Sequence, residues 1–444
     1  MVRTDETCFT APYPGNGSGM FWSHGSAQIM RYGERIFATG YEVGKDAPLY
    51  SNTRWQLWCR DADGWRLAQS GRDFEEREPC VLALLPRGRI MMFINPAHKP
   101  VKMCALCTPQ LLEVSADEPE RPPRQILPPW PDRPRPVFID HSYRGIAADE
   151  AAGELFLITQ DVFTIKYGNW PYCWSFMDAD GKWAGCGRIH FPTRPAYPQI
   201  AVRQRAAHVL GIEDIWEPNA KWHASKLKSN PRCDTWDYIF RRLYYAWAPD
   251  VTRGRFAPTL EIDSVKDTAG HIRNQDLWIG PDGAAHIIYR KTNISSAALR
   301  DEFFPGTPIV TTMDYVIVKD GAVVRRRELF RSGENDKEPC PGSACFHGLP
   351  DGRLLILCAM ASRDGQNRMS NFWLELDARY APTGRRVPLK LKEPLSGFNP
   401  ANERAGVPAS ATIDILSRGR EPDSVRYVRA VVPAKHPRSR KTKA

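Results

Sequence analysis

A strand–turn–strand pattern repeats along the chain, and it constrains the fold more than any other feature of the sequence. Each copy is an apolar run, a turn with Gly or Asp, and a second apolar run. The copies begin at residues 27, 81, 145, 199, 276 and 345. Most are followed by a second pair of the same kind, and the phrase DADG with a Trp occurs in two of these second pairs, at 61–65 and 178–183. Units of four short strands therefore recur along most of the chain.

Repeated four-stranded units of this length are typical of the blades of a β-propeller. A single such sheet cannot bury both of its faces, so neighbouring blades pack face to face around an axis. The last apolar segments, from residue 410, supply about half a blade, and we expect a strand from the N-terminal 25 residues to complete it. The sequence predicts an all-β chain with a single propeller over 1–434, with seven four-stranded blades or, as the alternative, six. We expect 435–444 to be a basic disordered tail.

Three segments depart from the strand pattern. Helical character is confined to 213–228 and 295–303, both inside long connections between strands. The Pro-rich segment 117–136 is interpreted as a connector within the domain. Long loops in a propeller tend to cover one face, where functional residues concentrate.

Composition and charge exclude several classes of protein. The net charge is +10, but the tail supplies five of these charges and no other basic run is present, so we expect no nucleic-acid partner. No apolar run approaches the length of a bilayer span, so we expect no membrane insertion. The N-terminus carries no apolar signal segment, which predicts a cytoplasmic protein, or a periplasmic or secreted one if a signal has been removed. The eleven Cys residues show no framework spacing and are interpreted as reduced, mostly buried thiols.

Residues at the start of each innermost strand surround one mouth of the central channel of a propeller. Reading these positions in each repeat gives a ring rich in His, Tyr and Arg, and the convergence of these types on one mouth predicts a functional site. The ring residues are His24, Glu78, His141, Tyr143, Arg144, Tyr197, Gln199, His271, Arg273, Asn274, Asp276 and His347.

Polar residues elsewhere are given structural interpretations. Those at the far ends of second strands are interpreted as solvated loop residues: Asp161, Glu213, Asp214, Tyr289, Arg290 and Lys291. Cys104 and Cys107, with His98 nearby, would form half of a zinc site, but no second Cys pair follows. The DADG phrases are interpreted as hairpin turns. We predict neither a metal nor a cofactor.

The repeats, the turn aromatics and the channel ring resemble the BNR-repeat, sialidase-like propeller proteins, with RDADGW and MDADGKW as degenerate forms of their Asp box. The chain is most similar to the branch with ulvan lyases and rhamnose–glucuronate lyases, through the segments HSYRGIAAD, AYPQIAV and GHIRNQDLWIGPDG. The resemblance implies a carbohydrate-active enzyme of bacterial type. It implies catalytic roles for His141, Tyr143, Tyr197, His271 and Arg273. The other ring residues would bind substrate: His24, Glu78, Arg144, Gln199, Asn274, Asp276 and His347.

The chemistry of elimination fits these residue types. Removing the proton beside a uronate carboxylate needs a cation such as Arg273 or Arg144 on that carboxylate, and His and Tyr as base and acid. Hydrolysis would need two carboxylates, for which Glu78 with Asp276, or Glu213 with Asp214, are the candidates. The ring contains more His, Tyr and Arg than acids, which favours a polysaccharide lyase acting on an anionic, uronate-containing carbohydrate. The alternatives are a sialidase-like glycoside hydrolase and a propeller that binds glycan or protein without catalysis.

Overall fold

The repeated strand pairs form seven four-stranded antiparallel sheets, which confirms the predicted seven-bladed propeller. The computed structural model describes residues 1–23, 25–45, 50–99, 104–132, 135–162, 170–363 and 368–432. The predicted tail, 435–444, and His24 lie outside the described residues.

The chain begins with strand β1 (Val2–Thr10) and then enters the blades in order. Blade 1 contains β2 (Ile29–Tyr32), β3 (Arg35–Val43), β4 (Thr53–Asp61) and β5 (Gly64–Ser70). Blade 2 contains β6 (Val81–Leu85), β7 (Arg89–Ile94), β8 (Gln110–Ser115) and β9 (Arg124–Ile126). Blade 3 contains β10 (Arg144–Asp149), β11 (Glu154–Gln160), β12 (Tyr172–Met177) and β13 (Trp183–Ile189). In each blade the first strand is innermost.

Blade 4 carries an insertion between its second and third strands. It begins with β14 (Pro195–Arg203) and β15 (Ala206–Glu213). The insertion contains β16 (Ile215–Trp216), α1 (Ala220–Ser229) and β17 (Tyr238–Ile239), and the blade is completed by β18 (Arg242–Ala248) and β19 (Leu260–Ser264). The strands β16 and β17 pair only with each other.

The last three blades complete the ring. Blade 5 contains β20 (His271–Ile279), β21 (Ala285–Thr292), β22 (Val310–Lys319) and β23 (Ala322–Gly333), with helix α2 (Ala297–Phe303) between β21 and β22. Blade 6 contains β24 (Cys340–Gly348), β25 (Leu354–Ala361), β26 (Met369–Leu376) and β27 (Pro382–Pro388). Blade 7 contains β28 (Phe398–Pro400), β29 (Thr412–Arg418) and β30 (Ser424–Val431). The N-terminal strand β1 pairs antiparallel with β30 as the outermost strand of blade 7.

Some boundaries differ from those predicted. The segment 213–228 is not helical throughout, because β15 and β16 occupy its first residues and the side chain of Asn219 caps α1 at its N-terminus. The segment 117–136 is not only a connector, since it contains β9. In blade 4 the outer strand β19 is separated from β18 by a 3₁₀ turn over Val251–Arg253. This turn ends at Gly254, which is in the left-handed conformation.

The core consists of apolar layers between successive blades. The inner strands of the blades are buried on both faces. They therefore contain unbroken apolar runs, such as VLALL in β6, rather than an alternating pattern. Aromatic residues fill the wider part of the wedge. Trp174 on β12 lies across β13, where a Cβ at Gly187 would approach the indole ring to 2.9 Å. Glycine at this position therefore allows the large ring to pack flat against its neighbour.

Blades 4 and 5 each contain a buried His–Tyr pair. His208 on β15 lies 2.7 Å from the Tyr245 hydroxyl, and His286 on β21 lies 2.6 Å from the Tyr315 hydroxyl, in both cases through Nδ1. The histidines occupy the same place in the repeats AAHVL and AAHII. Burial lowers the pKa of His208 to about 3 and that of His286 to about 4, so both rings are neutral at physiological pH.

All eleven cysteines are free thiols, and most of them are buried. Among the described residues no helix is long and apolar enough to cross a membrane.

The buried histidines predict how stability depends on pH. Below about pH 6.5 the unfolded chain takes up a proton on each of these histidines while the folded chain does not, so the free energy of unfolding falls as the pH falls. Each histidine contributes a slope of about 1.4 kcal/mol per pH unit once the pH is well below 6.5. Urea unfolding of His208→Gln between pH 6.5 and 4.5 is expected to show a slope smaller by about this amount.

His190→Gln is the control, because His190 lies at the surface. An unchanged slope in H208Q would show that the folded protein protonates this histidine as readily as the unfolded chain does.

Candidate functional site

A cavity of about 730 Å³ opens at the mouth of the channel, where the innermost strands of blades 4 to 7 begin. The segment between β1 and β2 completes the wall with Phe21 and Trp22. The ring residues that line this cavity are Tyr197, Gln199, His271, Arg273, Asn274 and Asp276. Half of the twelve predicted site residues therefore meet at one concave surface.

Bulges in β14, β20 and β24 occur at this end of the strands. In β14 the bulge places Tyr197 in the left-handed region, with φ of 48°. The Nδ2 atom of Asn274 donates to the carbonyl oxygen of Tyr197 at 2.7 Å, so blade 5 supports the bulge of blade 4. Bulges re-aim side chains, and here they turn Tyr197 and its neighbours toward the mouth.

An arc of contacting rings links four of the five predicted catalytic residues. His141 packs on Tyr143 with 5.2 Å between ring centroids, and Tyr143 packs on Tyr197 at 5.1 Å. Phe240, from the end of the blade 4 insertion, lies 5.6 Å from Tyr197 and 5.6 Å from His271. The arc thus runs from blade 3 to blade 5.

Arg273 and Arg290 are direct partners across the β20–β21 ladder, and both line the cavity. Neither forms an ion pair with a carboxylate within the part of the chain that the structure describes. Like charges placed directly opposite each other destabilise a sheet. This arginine pair is therefore a cost to the fold that an anionic ligand would offset.

His271 is exposed to solvent at the cavity wall, two residues before Arg273. Partial desolvation between the walls, with the charges of Arg273 and Arg290, lowers the pKa of His271 to about 4. The imidazole is therefore neutral at physiological pH and can accept a proton.

Tyr197 is the cavity end of a chain of hydrogen-bonding groups. Its hydroxyl interacts with that of Tyr143, which donates to Oδ2 of Asp214 at 3.4 Å. Burial raises the pKa of Tyr197 to about 12 and also raises that of Asp214. Arg194 pairs with Asp214 at 3.2 Å. The phenol of Tyr197 is therefore protonated and linked to a buried carboxyl.

Glu78, His141 and Arg144 form a charge network outside the cavity lining. Nδ1 of His141 lies 3.5 Å from Glu78, and the Arg144 guanidinium lies 3.6 Å from Glu78 and 3.8 Å from Glu76. Glu78 and Arg144 are buried, whereas the His141 side chain is 24% exposed. Burial raises the pKa of Glu76 to about 8, against the effect of Arg144. These residues contact the arc through His141, which packs on Tyr143.

Asp276 and His347 are held by structural partners. Asp276 accepts from Arg404 at 2.7 Å and from the backbone N–H of Phe346 at 2.8 Å, which ties blades 5, 6 and 7 together at the axis. His347 is buried with Nε2 2.8 Å from the Ser410 carbonyl oxygen, and burial lowers its pKa to about 4. It does not line the cavity. Gln199 donates through Nε2 to the carbonyl oxygen of Gln275 at 2.9 Å.

The interpretation of the second-strand ends as solvated loop residues is wrong for most of them. Asp161, Glu213, Asp214 and Tyr289 are buried, and each has a charged or hydrogen-bonding partner. Asp161 pairs with Arg188 at 3.3 Å and Glu213 with Arg242 at 3.5 Å, while the Tyr289 hydroxyl and Lys291 both donate to Asp263.

The predicted ring omitted Arg290, Phe240 and Arg194. Arg290 could have been found from the sequence, because the turn at 280–283 sets the register of the hairpin and a single bulge brings Arg290 opposite Arg273. Phe240 and Arg194 lie in connections, where no repeat fixes their position. Among the described residues no group of three or more His, Cys, Asp or Glu could hold a metal ion.

No protein-family model matches the sequence, and no curated protein matches it. Among solved structures, the puromycin-hydrolyzing peptidase of Mycobacterium tuberculosis aligns with a TM-score of 0.50 at 10% identity, over 95% of this chain and 55% of that chain. This chain thus spans about half the length of the peptidase. The α-L-arabinanase of Penicillium chrysogenum, complexed with arabinobiose, aligns with a TM-score of 0.43 at 11% identity, over 79% of this chain and 92% of the arabinanase. The likeness to the peptidase supports the fold alone, and the resemblance to sialidase-like propellers and uronate lyases stays a prediction.

The unpaired arginines predict an unusual effect of mutation on stability. Arg273→Gln removes the repulsion from Arg290 and is expected to raise the free energy of unfolding by about 0.2–1 kcal/mol. Arg426→Gln is the matched control, because Arg426 forms a buried bidentate pair with Asp5 at 2.6 and 2.7 Å. Losing that pair is expected to cost about 3–5 kcal/mol. Thermal midpoints of the two variants measure both effects, and a lower midpoint for R273Q would show that Arg273 has a stabilising partner.

Proposed function

We propose that the protein binds an anionic carbohydrate in the mouth cavity and cleaves it by β-elimination at a uronate residue. The observation that carries the proposal is the arginine pair, Arg273 and Arg290, held opposite each other without a carboxylate among the described residues and next to the neutral His271. A uronate carboxylate between the two guanidinium groups would supply the missing charge through charge-assisted hydrogen bonds.

The arginines would also stabilise the intermediate. When the proton beside the carboxylate leaves, its bonding electrons shift toward the carboxylate and build up negative charge there. Two fixed cations at that point favour this state more than the ground state. The electrons then form the double bond of the unsaturated product, and the bond to the 4-linked oxygen breaks.

His271 is positioned to take the proton. Its pKa of about 4 in the free protein reflects desolvation and the neighbouring arginines. A bound carboxylate compensates the arginine charges, which raises the pKa of His271 and makes it a stronger base when substrate is present. The base is thus neutral before binding and strengthened by binding.

Tyr197 is the matching acid. Its phenol is protonated at physiological pH, and its ring contacts Phe240, whose ring also contacts His271. A proton given to the departing oxygen would be replaced through Tyr143, whose hydroxyl reaches Asp214. Base and acid are therefore separate groups on neighbouring blades.

The carboxylates are poorly placed for hydrolysis. Hydrolysis by the usual route needs two carboxyl groups on either side of the scissile bond. Asp276 is the one carboxylate among the described cavity-lining residues, and it is paired with Arg404. Glu78, Glu213 and Asp214 are buried behind the wall.

Incubation with a panel of uronate-containing polysaccharides tests the reaction. We expect ultraviolet absorbance from the unsaturated product to rise with wild-type protein, and to rise about 10²–10⁴-fold more slowly with His271→Gln or Tyr197→Phe, because each loses one proton transfer. His190→Gln, at the protein surface, is the matched control and should react like wild type. New reducing ends without absorbance would identify a hydrolase and contradict the proposal.

The link between the arginines and the base can be measured without substrate. Because the positive charge of Arg273 disfavours the imidazolium form, Arg273→Gln is expected to raise the pKa of His271 above its wild-type value of about 4. Nuclear magnetic resonance titration of the imidazole signals measures the shift, with His271→Gln identifying the signal. A pKa that stays the same or falls would remove the electrostatic role of Arg273.

A further inference from the structure

Three aromatic side chains of the blade 4 insertion are turned to solvent. Trp216 is 41% exposed, Trp236 is 62% exposed and Tyr238 is 39% exposed. Tyr238 contacts both indoles, with 5.8 Å between ring centroids to Trp216 and 5.9 Å to Trp236. No other tryptophan in the described part of the chain is exposed to this degree. We call these three residues the aromatic platform.

A buried charge network holds the platform in place. Glu217, next to Trp216, accepts a bidentate pair of hydrogen bonds from Arg241 at 2.9 and 2.6 Å, and Lys226 on α1 donates to it at 2.7 Å. Asp237, between the other two platform residues, accepts from Lys226 and lies 2.5 Å from His223. Because the charges of the network are compensated within it, the rings above are fixed without adding net charge to the surface.

The platform adjoins the mouth cavity. Tyr238 is two residues before Phe240, which lines the cavity, and an extended chain places such residues on one face. The guanidinium of Arg194 lies 5.4 Å from the Tyr238 ring centroid and 5.7 Å from that of Tyr143. A ligand that leaves the cavity past Tyr197 and Phe240 therefore meets the platform next.

We propose that the aromatic platform is a second sugar-binding subsite that holds an uncharged sugar ring of the same oligosaccharide whose uronate lies at Arg273. The C–H face of a sugar ring carries partial positive charge and is apolar, so it stacks on the negative face of an indole or phenol ring. The subsite favours an uncharged ring because Arg194, Lys226 and Arg241 already have carboxylate partners. This inference rests on the proposed function, and it makes the substrate an oligosaccharide with both charged and uncharged sugars.

Calorimetric binding of desulfated ulvan oligosaccharides, from disaccharide to octasaccharide, tests the platform. All titrations use the His271→Gln background, in which loss of the base keeps the probes from being cleaved during the measurement. These probes alternate uronate with an uncharged sugar. With the platform intact we expect affinity to rise with length. With Trp216→Ala and Trp236→Ala the rise is expected to be smaller by about tenfold, because each variant loses an aromatic contact with the longer ligands. Tyr13→Ala removes an aromatic side chain that is 68% exposed outside the platform and is the matched control.

The outcomes separate the platform from the cavity. A length dependence that is reduced in either Trp variant but kept in Y13A supports the proposal, and oligogalacturonides, in which every sugar is charged, should then gain less from length. An unchanged length dependence in both variants overturns the platform, while a loss of disaccharide binding in Arg273→Gln would still uphold the cavity. Absence of binding with the platform intact, together with absence of cleavage by the wild-type protein, overturns the platform and the proposed function together.

Discussion

Antiparallel pairing of β1 with β30 closes the ring of blades, and the position of every innermost strand depends on that closure. The two strands pair from Val2 with Ala430 to Thr10 with Ser424, and the buried pair of Asp5 with Arg426 joins them. Without β1 the outer edge of blade 7 would present unpaired backbone groups. The chain leaving β1 then crosses to the mouth, where Trp22 packs against Tyr197 at 5.5 Å. Closure of the fold and the wall of the cavity thus use one continuous segment.

The fold follows from the sequence because each strand pair is local. Turns such as GPDG at 280–283 fix the register of a hairpin, and the apolar runs on either side fix which blades stack. The strands that the sequence pattern did not predict are short or follow long connections, and they include β8, β9, β19 and β28. Only the part of the site that lies on repeated strands could be predicted from the sequence. The ring positions were found, but the partner of Asp276 is Arg404, 128 residues away, and no periodicity connects the two.

Two kinds of charged pair occur near the mouth, and they differ in their effect on the stability of the fold. Asp276 with Arg404 and Glu78 with Arg144 are buried charges whose desolvation is offset by a partner. Arg273 and Arg290 have no such partner in the described chain, yet both lie on adjacent strands of a rigid blade. Since solvent at the open cavity wall screens their repulsion, the pair is tolerated, and under the proposed function its attraction for a carboxylate would grow as the ligand displaced that solvent. The paired charges therefore stabilise the blades around the mouth, and these blades hold Arg273 and Arg290 in place.

Several departures from ideal geometry occur at the mouth, in blades 4 to 6. Bulges interrupt three successive innermost strands, Tyr197 is held at a positive φ, and two arginines face each other across β20 and β21. Such departures persist only where surrounding structure over-determines them, here through Asn274 and the contacting rings of the arc. Blades 1 to 3, by contrast, contribute buried charges rather than cavity surface. The mouth is therefore one-sided, and under the proposed function a bound chain would extend from blade 5 across the insertion of blade 4, because that is where the aromatic surface continues.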